Sequence, residues 1–314
     1  MDNLETLLRL NDLDVVWRWP VGRDWREDPT VLPKLGDVDL VIVNGEGTIH
    51  HDQTRPPAMW LAEAGRFARE RLGAPAFLIN ATLHSNSRDL YGALSQFTDL
   101  FVRDTMSADE LERHGLRGHV VPDLTFAEIA EFAPLETGSP VRSGTCGTDS
   151  IRQEVADVIE RLCRQQGWPF LQMEPVEPPS WNGALRPRQF VSRGMRWLRY
   201  RARPPLRGDS FRQFLTSHAL VITGRYHAVT MCLKSRTPFL AVESNTPKTT
   251  ALLRDVLHAT DRVVDRCEQL PPLKDLGRWA TWTENELQLI EAFLRRGDGE
   301  IKGMIRSIAE QARC

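Results

Sequence analysis

Residues 220–253 constrain the fold of this 314-residue chain more than any other segment. Two apolar strand patterns, 219–222 and 238–242, lie on either side of a helical stretch. Arg225 and His227 come directly after the first strand, and polar residues follow the second. Strands and helices that alternate at this spacing indicate a parallel sheet. Its strand ends therefore meet at the edge where open α/β sheets bind ligands, and cations there suit a small anion.

The same alternation predicts a parallel sheet in the first half of the chain. Apolar patterns predict strands over 38–43, 76–79, 100–102 and 119–121. Helical periodicity predicts helices over 57–72, 89–97 and 108–114, the last one capped by Ser107. The predicted fold class is therefore α/β, with mainly parallel sheets.

The second half begins with a segment rich in Gly, Ser, Thr and Pro, 131–150, which we interpret as a linker. A helix over 150–166 and a strand over 169–173 are predicted after it. Two further helices, 283–295 and 299–312, are predicted at the end of the sequence. The chain is too long for one ordinary core and suits two domains.

Composition argues against several classes of protein. The formal net charge is −2, so no overall charge favours nucleic acid. The five cysteines include no CxxC pair, which suits a reducing compartment. No apolar run approaches the ~20 residues of a membrane span, and the acidic, amphipathic N-terminus does not resemble a signal peptide. These features predict a cytoplasmic protein, with contact to a membrane surface left open.

A glycine loop, 44–48 (Asn-Gly-Glu-Gly-Thr), follows the first predicted strand. Glycines at a strand end let a ligand or another backbone approach closely, and the amides that follow can hold an anion. The loop is not GxGxxG, and no acidic residue follows at the dinucleotide spacing, so NAD is not predicted. A tight strand-to-helix turn without a ligand is the alternative.

Several pieces of this chain, taken in order, resemble the polysaccharide pyruvyl transferase family. They are NGEGTI (44–49), the strand and loop 78–85, FVRDTMSADEL (101–111), VVPDLTF (120–126) and TGRYHAVTM with TPFLAVESNTPK (223–248). The resemblance implies a GT-B-like fold, in which two Rossmann-like domains face a cleft. The expected domains are 1–135 on the acceptor side, 136–285 on the donor side, and C-terminal helices 286–314 that pack back on the first domain. It also implies transfer of pyruvate from phosphoenolpyruvate to two saccharide hydroxyls, with formation of a cyclic ketal.

The chain departs from the family pattern near its N-terminus. The usual first strand with an Asn-x-Gly-Asp-like loop is not found, so the N-terminal unit is expected to be shortened or rebuilt. Tyr226 also stands where the family usually has Leu. The shortened unit leaves open a divergent or inactive member of the family.

The resemblance implies that residues after the strands of the second domain bind and activate the donor. Arg225 would clamp a carboxylate or phosphate with its planar fork, and His227 would protonate C3 as a catalytic acid. Lys248 would neutralise the leaving phosphate. Further donor contacts are assigned to Tyr226, Ser244 and Asn245. The alternatives are a surface salt bridge for Arg225, a helix-capping role for His227 and plain solvation for Lys248.

Other candidates lie in the first half of the chain. Arg103 would meet the donor, or else pair with Asp104 at a helix start. His84 is a candidate catalytic base for the acceptor hydroxyl, with a structural role as the alternative, and Asp123 is expected to hold the hinge. The acceptor contacts are assigned to Asn44, Gly45, Glu46, Gly47 and His50. No metal is predicted at His50-His51-Asp52, because adjacent side chains seldom share one ion.

An arginine-rich segment with interleaved aromatic residues, 186–207, is where acceptor choice is expected to differ from that of relatives. It is a candidate for docking a lipid-diphosphate-linked acceptor or an anionic membrane surface. A solvated loop or an ordinary surface helix is the alternative. No nucleic-acid partner is expected, because no nucleic-acid-binding motif accompanies the arginines.

The leading hypothesis is a pyruvyl transferase that acts on a saccharide, with phosphoenolpyruvate as co-substrate and no cofactor. A homo-oligomer is compatible with this hypothesis. The second hypothesis is a GT-B glycosyltransferase that uses a nucleotide sugar, and the third is a non-catalytic relative that binds carbohydrate or membrane. Binding of phosphoenolpyruvate, of a nucleotide or of neither ligand distinguishes the three.

Overall fold

The computed structural model describes residues 2–28, 31, 38–129, 142–173, 191, 194, 195, 197, 198, 200 and 208–312. Contacts divide the chain into two compact units. Unit 1 comprises Met1–Ala133, Thr246–Ala259 and Asn285–Cys314, and unit 2 comprises Pro134–Asn245 and Thr260–Glu284. Residues 246–259, which were expected in the second domain, are grouped by contacts with unit 1.

The described strands of each unit form one sheet in which every pairing is parallel. They are β1 (Val41–Asn44), β2 (Ala76–Ala81), β3 (Asp99–Val102), β4 (His119–Val120), β5 (Thr145–Ser150), β6 (Phe170–Leu171), β7 (Leu220–Gly224), β8 (Phe239–Val242) and β9 (Val263–Val264). The strand order is β1-β2-β3-β4 in unit 1 and β6-β5-β7-β8-β9 in unit 2. The two sheets confirm the α/β prediction, and neighbouring strand ends lie along one edge of each sheet.

The helices alternate with these strands. They are α1 (Asp2–Arg9), α2 (Pro56–Ala62), α3 (Ala64–Phe67), α4 (Arg88–Leu94), α5 (Thr105–Arg113), α6 (Gln153–Gln166), α7 (Gly208–Thr216), α8 (Tyr226–Lys234), α9 (Lys248–Leu257) and α10 (Glu284–Ala312). The helix predicted over 57–72 is divided into α2, α3 and a π-helical turn, Ala68–Leu72, which ends at the left-handed Gly73.

Strand β5 corrects the interpretation of 131–150 as a linker. Residues Thr145–Ser150 form a strand between β6 and β7, and five of its six residues are buried. A Cβ atom at Gly147 would overlap Cys163 Sγ and would lie 2.8 Å from Ile159 Cγ2 of α6, so the helix packs directly on the strand backbone. The polar residues of β5 are buried because they bond to one another and to neighbouring strands, and hydropathy alone does not reveal this.

The predicted cap of α5 was also wrong. The helix begins at Thr105, and Asp104 is its N-cap, whose Oδ1 accepts a hydrogen bond from Ser107 N at 2.8 Å. Ser107 Oγ instead accepts a hydrogen bond from Leu83 N at 2.9 Å. Aspartate and serine are both good caps, so sequence alone did not decide between them.

The C-terminal region is one helix, α10, and not the two helices predicted. Its buried residues recur at helical spacing on both sides of Gly297. A Cβ at Gly297 would lie 3.2 Å from Pro122 Cγ, so this glycine allows close packing. Burial of a continuous apolar face therefore outweighs the low helix propensity of glycine.

Residues 2–28 contain α1 and a short 3-10 turn, Trp25–Glu27, and no strand is present in this stretch. Among the helices that the structure describes, none has the length and apolar character needed to cross a membrane. All eight arginines of segment 186–207 lie outside the described residues.

Candidate active site

Arg225 directly follows β7 and is the N-cap residue of α8. Asp149 of β5 binds its guanidinium through two hydrogen bonds, from Nε to Oδ1 at 3.0 Å and from Nη2 to Oδ2 at 2.7 Å. Both side chains are buried, with exposed fractions of 9% for Arg225 and 0% for Asp149. Gln172 Nε2 also donates to Asp149 Oδ2. The planar fork assigned to a ligand is thus engaged by Asp149 within unit 2.

Hydroxyl groups join the ends of β5 and β7. The Oγ1 atoms of Thr148 and Thr223 lie 2.5 Å apart, and Arg225 N donates to Thr223 Oγ1 at 3.0 Å. Ser150 Oγ donates to the carbonyl oxygen of Gly224 at 3.1 Å. A Cβ atom at Gly224 would overlap Ser150 Cβ, so glycine is required for this close approach. The position of Arg225 is therefore fixed by buried polar contacts.

The other candidates of unit 2 lie at the same sheet edge, after β7 and β8. His227 is exposed in the first turn of α8, whereas Tyr226 beside it is buried, and their ring centroids lie 5.7 Å apart. Ser244 is buried and Asn245 is exposed, and Ser244 Oγ donates to Asn245 Oδ1 at 3.2 Å. Because β7 and β8 are neighbours, the structure brings these two short segments to one edge.

The glycine loop of unit 1 is fixed to strand β2. Gly45 N donates to Ile79 O at 2.9 Å, and Thr82 N donates to Glu46 O at 2.9 Å. A Cβ at Gly45 would lie only 2.7 Å from Ala81 Cβ. The first glycine is thus required for backbone packing, which is the structural alternative considered for this loop.

Gly47, the second glycine of the loop, lies beside two buried cations. A Cβ at this position would be 3.3 Å from Lys248 Nζ and 3.7 Å from Arg103 Nη2. Arg103 is 3% exposed and Lys248 is 6% exposed. The structure therefore brings Arg103 and Lys248, which are far apart in sequence, to the glycine loop within unit 1.

Arg103 pairs with Asp123 and not with Asp104, its neighbour in sequence. Arg103 Nη1 donates to Asp123 Oδ2 at 2.9 Å, and both side chains are 1% exposed. Arg103 Nε donates to Thr82 Oγ1 at 2.5 Å. Burial raises the pKa of the Asp104 carboxyl, the cap of α5. Contacts on Nε and Nη1 therefore fix the orientation of the guanidinium, whose Nη2 is the nitrogen near Gly47.

The predicted histidines are near one another in unit 1. His50 is buried, and a parallel β-bridge joins His50 to His84. His51 N donates to His84 O at 3.1 Å, and the ring centroids of His51 and His84 lie 5.2 Å apart. Burial, with smaller contributions from Arg55, His51 and Lys248, lowers the pKa of His50 to about 3. His50 is therefore neutral at pH 7, and the cations around it indicate a positive local potential.

Two asparagines, Asn44 of β1 and Asn80 of β2, form hydrogen bonds near the carboxyl ends of these strands. Asn44 Nδ2 donates to Glu46 Oε1 at 3.1 Å, and Asn80 Nδ2 donates to Asn44 Oδ1 at 3.1 Å. Residues with left-handed backbone cluster here, namely Glu46, His51, Asn80 and Ser85. Such conformations cost free energy in residues other than glycine and are enriched at functional sites.

The partners of the candidate residues were not predicted from the sequence. Asp149 was placed in a linker, and Arg55, which contacts His50 Nε2, was not considered. Asp123, which was expected to hold the hinge, binds Arg103, and this partner was not predicted. Within the described ranges, no group of three His, Cys, Asp or Glu side chains has the geometry of a metal site.

The two parallel sheets, with cationic side chains after their strands, define an α/β protein of the Rossmann type. A family model described as polysaccharide pyruvyl transferase matches residues 3–246. The chain therefore belongs to the polysaccharide pyruvyl transferase family, which confirms the resemblance and places the protein in a family of transferases. A search of curated proteins finds no match.

Solved structures resemble the chain at low sequence identity. UDP-GlcNAc 2-epimerase from Methanocaldococcus jannaschii, solved with UDP-GlcNAc and UDP, matches with a TM-score of 0.50 and 13% identity. The match covers 98% of this chain and 88% of the epimerase. A functionally uncharacterised protein from Klebsiella pneumoniae matches with a TM-score of 0.46 and 14% identity, over 81% of each chain. The likeness to the epimerase supports the GT-B-like fold class.

Proposed function

We propose that the protein transfers the pyruvyl group of phosphoenolpyruvate to two hydroxyls of one saccharide, forming a cyclic ketal. The observation that carries the proposal is the pair of buried cations, Arg103 and Lys248, beside Gly47. Cations attract an anion more strongly when buried, because the local dielectric constant is lower than in water. Membership in the family supports pyruvyl transfer as the chemistry.

The proposed reaction balances without a redox partner. C3 of phosphoenolpyruvate gains a proton and becomes a methyl group, and C2 becomes electrophilic. One saccharide hydroxyl forms a bond to C2 and loses its proton. The second hydroxyl then displaces phosphate from C2 and also loses its proton. The net products are the ketal of pyruvate and hydrogen phosphate. One of the two hydroxyl protons is balanced by the proton gained at C3, and the other leaves with the phosphate.

Within unit 1, we assign the phosphate of the donor to Arg103 and Lys248. Arg103 Nη2 and Lys248 Nζ both lie close to the same glycine, so the two cationic groups reach one point of the glycine loop. Thr82 and Asp123 orient the guanidinium, so little conformational freedom is lost on binding. Lys248 supplies a compact charge that can stabilise the departing phosphate.

Within unit 2, Arg225 and His227 keep the roles assigned from the sequence, as proposals with tests of their own. His227 is exposed, so it is accessible as a proton donor. Asp149 binds Arg225 through Nε and Nη2 and so fixes the position of the guanidinium that we assign to an anionic group of the donor. The His227→Gln variant should bind phosphoenolpyruvate normally but lose turnover, and full activity of this variant would remove His227 as the acid.

Thermal shift with a panel of anions tests donor binding. Phosphoenolpyruvate at ~100 times its dissociation constant should stabilise the protein by about 2.7 kcal/mol. Pyruvate and inorganic phosphate, each carrying one of the two anionic groups, should produce smaller shifts. A shift with UDP and none with phosphoenolpyruvate would instead support the nucleotide-sugar alternative.

Turnover is measured as phosphate released from phosphoenolpyruvate in the presence of methyl hexopyranosides with free 4- and 6-hydroxyls. The Lys248→Met variant should lose the phosphoenolpyruvate shift and turnover, because it removes a buried charge while keeping most of the side-chain volume. The Lys274→Met variant, at an exposed lysine, is the matched control and should behave as the unmodified protein. Equal donor affinity in both variants would refute the assignment of Lys248.

A further inference from the structure

A chain of hydrogen bonds connects Arg55, His50 and His51 in unit 1. Arg55 Nη1 contacts His50 Nε2, and His50 Nδ1 lies 2.8 Å from His51 Nδ1. We propose that this chain holds His51 as a neutral imidazole with its proton on Nε2, so that His51 donates a hydrogen bond to a saccharide hydroxyl. The saccharide part of this inference rests on the proposed function, whereas the protonation pattern does not.

The protonation pattern follows from the chemistry of the first donor. A guanidinium only donates hydrogen bonds and does not lose its proton in proteins. His50 Nε2, which faces Arg55, must therefore accept and carries no hydrogen. An imidazole ring keeps at least one N–H, so the hydrogen of His50 is on Nδ1. The buried environment favours this neutral form, because it lowers the pKa of His50 to about 3.

The contact between His50 and His51 fixes the position of the hydrogen on His51 as well. Since His50 Nδ1 carries hydrogen, it donates to His51 Nδ1, which must be the acceptor. A hydrogen on His51 Nδ1 would place two donors against each other at 2.8 Å. This excludes both the imidazolium form and the Nδ1–H tautomer of His51. The remaining form has its hydrogen on Nε2, the ring nitrogen that does not face His50.

The backbone also holds His51 in place. Its φ of 51° lies in the left-handed region, which is unfavourable for histidine. His51 N donates to His84 O, and Asp52 accepts hydrogen bonds from Ser87 N at 2.7 Å and from Ser87 Oγ. A strained residue that is fixed from both sides is typical of a preorganised binding group.

The position of Nε2 leaves it available for a ligand. Across the part of the chain that the structure describes, no oxygen or nitrogen accepts a hydrogen bond from His51 Nε2. His51 is half-buried, so the atom is not sealed in the core. His51 follows the glycine loop closely in sequence, after the end of β1, and the acceptor contacts assigned from the sequence lie in that loop and at His50.

The neutral N–H group of His51 suits a hydroxyl of the saccharide better than it suits phosphoenolpyruvate. Phosphoenolpyruvate is anionic, and the neighbouring cations attract it more strongly. A hydroxyl oxygen that accepts a hydrogen bond from Nε2–H must direct its own hydrogen elsewhere. His51 thereby orients the attacking hydroxyl toward a base, but it cannot be that base, because its outer nitrogen is already protonated. His50 and Arg55 are positioning residues that act through His51.

Nitrogen-15 NMR of histidine-labelled protein at pH 7 tests the protonation pattern without any substrate. Two-bond nitrogen–hydrogen correlations should show His50 protonated only on Nδ1 and His51 only on Nε2. Assignment comes from His50→Asn and His51→Gln variants, each of which removes one set of signals. A hydrogen on His50 Nε2 or on His51 Nδ1 would overturn the proposal.

Paired substitutions test the role in binding. An asparagine at position 50 can place an amide donor where Nδ1 lies, whereas a glutamine reaches the position of Nε2. His50→Asn should therefore preserve the KM for methyl hexopyranosides, and His50→Gln should raise it about tenfold, as expected for one lost hydrogen bond. His51→Gln should likewise keep the KM closer to normal than His51→Leu does.

The control is His119→Asn, at an exposed histidine of β4 in the same unit. It should change neither KM nor the phosphoenolpyruvate shift. Equal KM values for the two members of each pair would refute the donor role of His51. If the NMR pattern is as expected but the protein neither binds nor turns over phosphoenolpyruvate, then the proposed function fails and the protonation pattern stands.

Discussion

Removal of Asp149 should destabilise unit 2 strongly. The Asp149→Ala substitution leaves the guanidinium of Arg225 buried, at 9% exposure, without the carboxylate that accepts its hydrogen bonds at 3.0 and 2.7 Å. Loss of one partner of a buried ion pair costs about 3–5 kcal/mol, because the other charge stays desolvated. Removal of Glu291, whose pair with Arg295 is exposed, should cost at most about 1 kcal/mol.

The Arg225→Met and Asp149→Leu substitutions together should restore much of this stability. Apolar residues of similar volume often replace a buried ion pair with little loss. The double variant should therefore be more stable than the sum of the single variants by about 2 kcal/mol, a coupling typical of buried partners. Its phosphoenolpyruvate shift should be reduced if Arg225 also contacts the donor.

Hydrogen exchange is the appropriate assay, because a chain of two units need not unfold in a single step. Protection of the β5 and β7 amides reports the opening free energy of unit 2 by itself. Asp149→Ala should lower that protection selectively, while amides of β1 and β2 stay unchanged. A loss no larger than that of Glu291→Ala, or additive single variants, would contradict the claim that this pair stabilises unit 2.

Three further outcomes are expected. Since the folded-state pKa of His50 is lowered from 6.5 to about 3, the unfolded chain binds more protons between these values, and stability should fall as pH decreases from about 6.5 toward 3. His50 should contribute a slope of about 1.4 kcal/mol per pH unit to the free energy of unfolding, measured by urea titration at several pH values. This contribution should disappear in His50→Asn. Gly224→Ala should lower the thermal midpoint by several degrees or prevent folding, because its methyl group would overlap Ser150, and a midpoint near that of the unmodified protein would contradict this packing. Gly303→Ala, on an exposed position of α10 with open space around it, should stabilise unit 1 by up to about 1 kcal/mol in urea unfolding, and destabilisation would contradict the described environment.

The alternation of apolar strands and amphipathic helices allowed most of the sheet to be predicted from the sequence. Strands β2, β7 and β8 are almost wholly buried, and their apolar runs are visible without any tertiary information. Strand β5 could not be found in this way, because Thr148, Asp149 and Ser150 are polar in sequence, and their burial depends on hydrogen bonds to residues 223–225. The continuous α10 was missed for the same kind of reason, since packing at Gly297 overrides local propensity.

Only the candidate site residues that directly follow a strand could be predicted from the sequence. Residues that follow a strand, such as Arg103 and Arg225, are recognisable from period and position in the sequence. Their partners are not, because Asp123 lies 20 residues from Arg103 and Asp149 lies 76 residues from Arg225. Hydrogen-bond partners over such separations are set by strand order, and a single sequence contains no direct record of that order.

The dependence of Arg225 on β5 limits how the GRYH segment can be exchanged between relatives. A chimera that receives residues 220–248 from another family member would acquire that member's segment without the strand β5 that lies beside it in the parent protein. Exchange of β5 together with this segment would keep both halves of the pair and the hydroxyl contacts at Gly224. A chimera that keeps the Arg225–Asp149 pair must therefore exchange two strands, β5 and β7, which are adjacent in the sheet but distant in sequence. Exchange of one contiguous motif does not keep the pair.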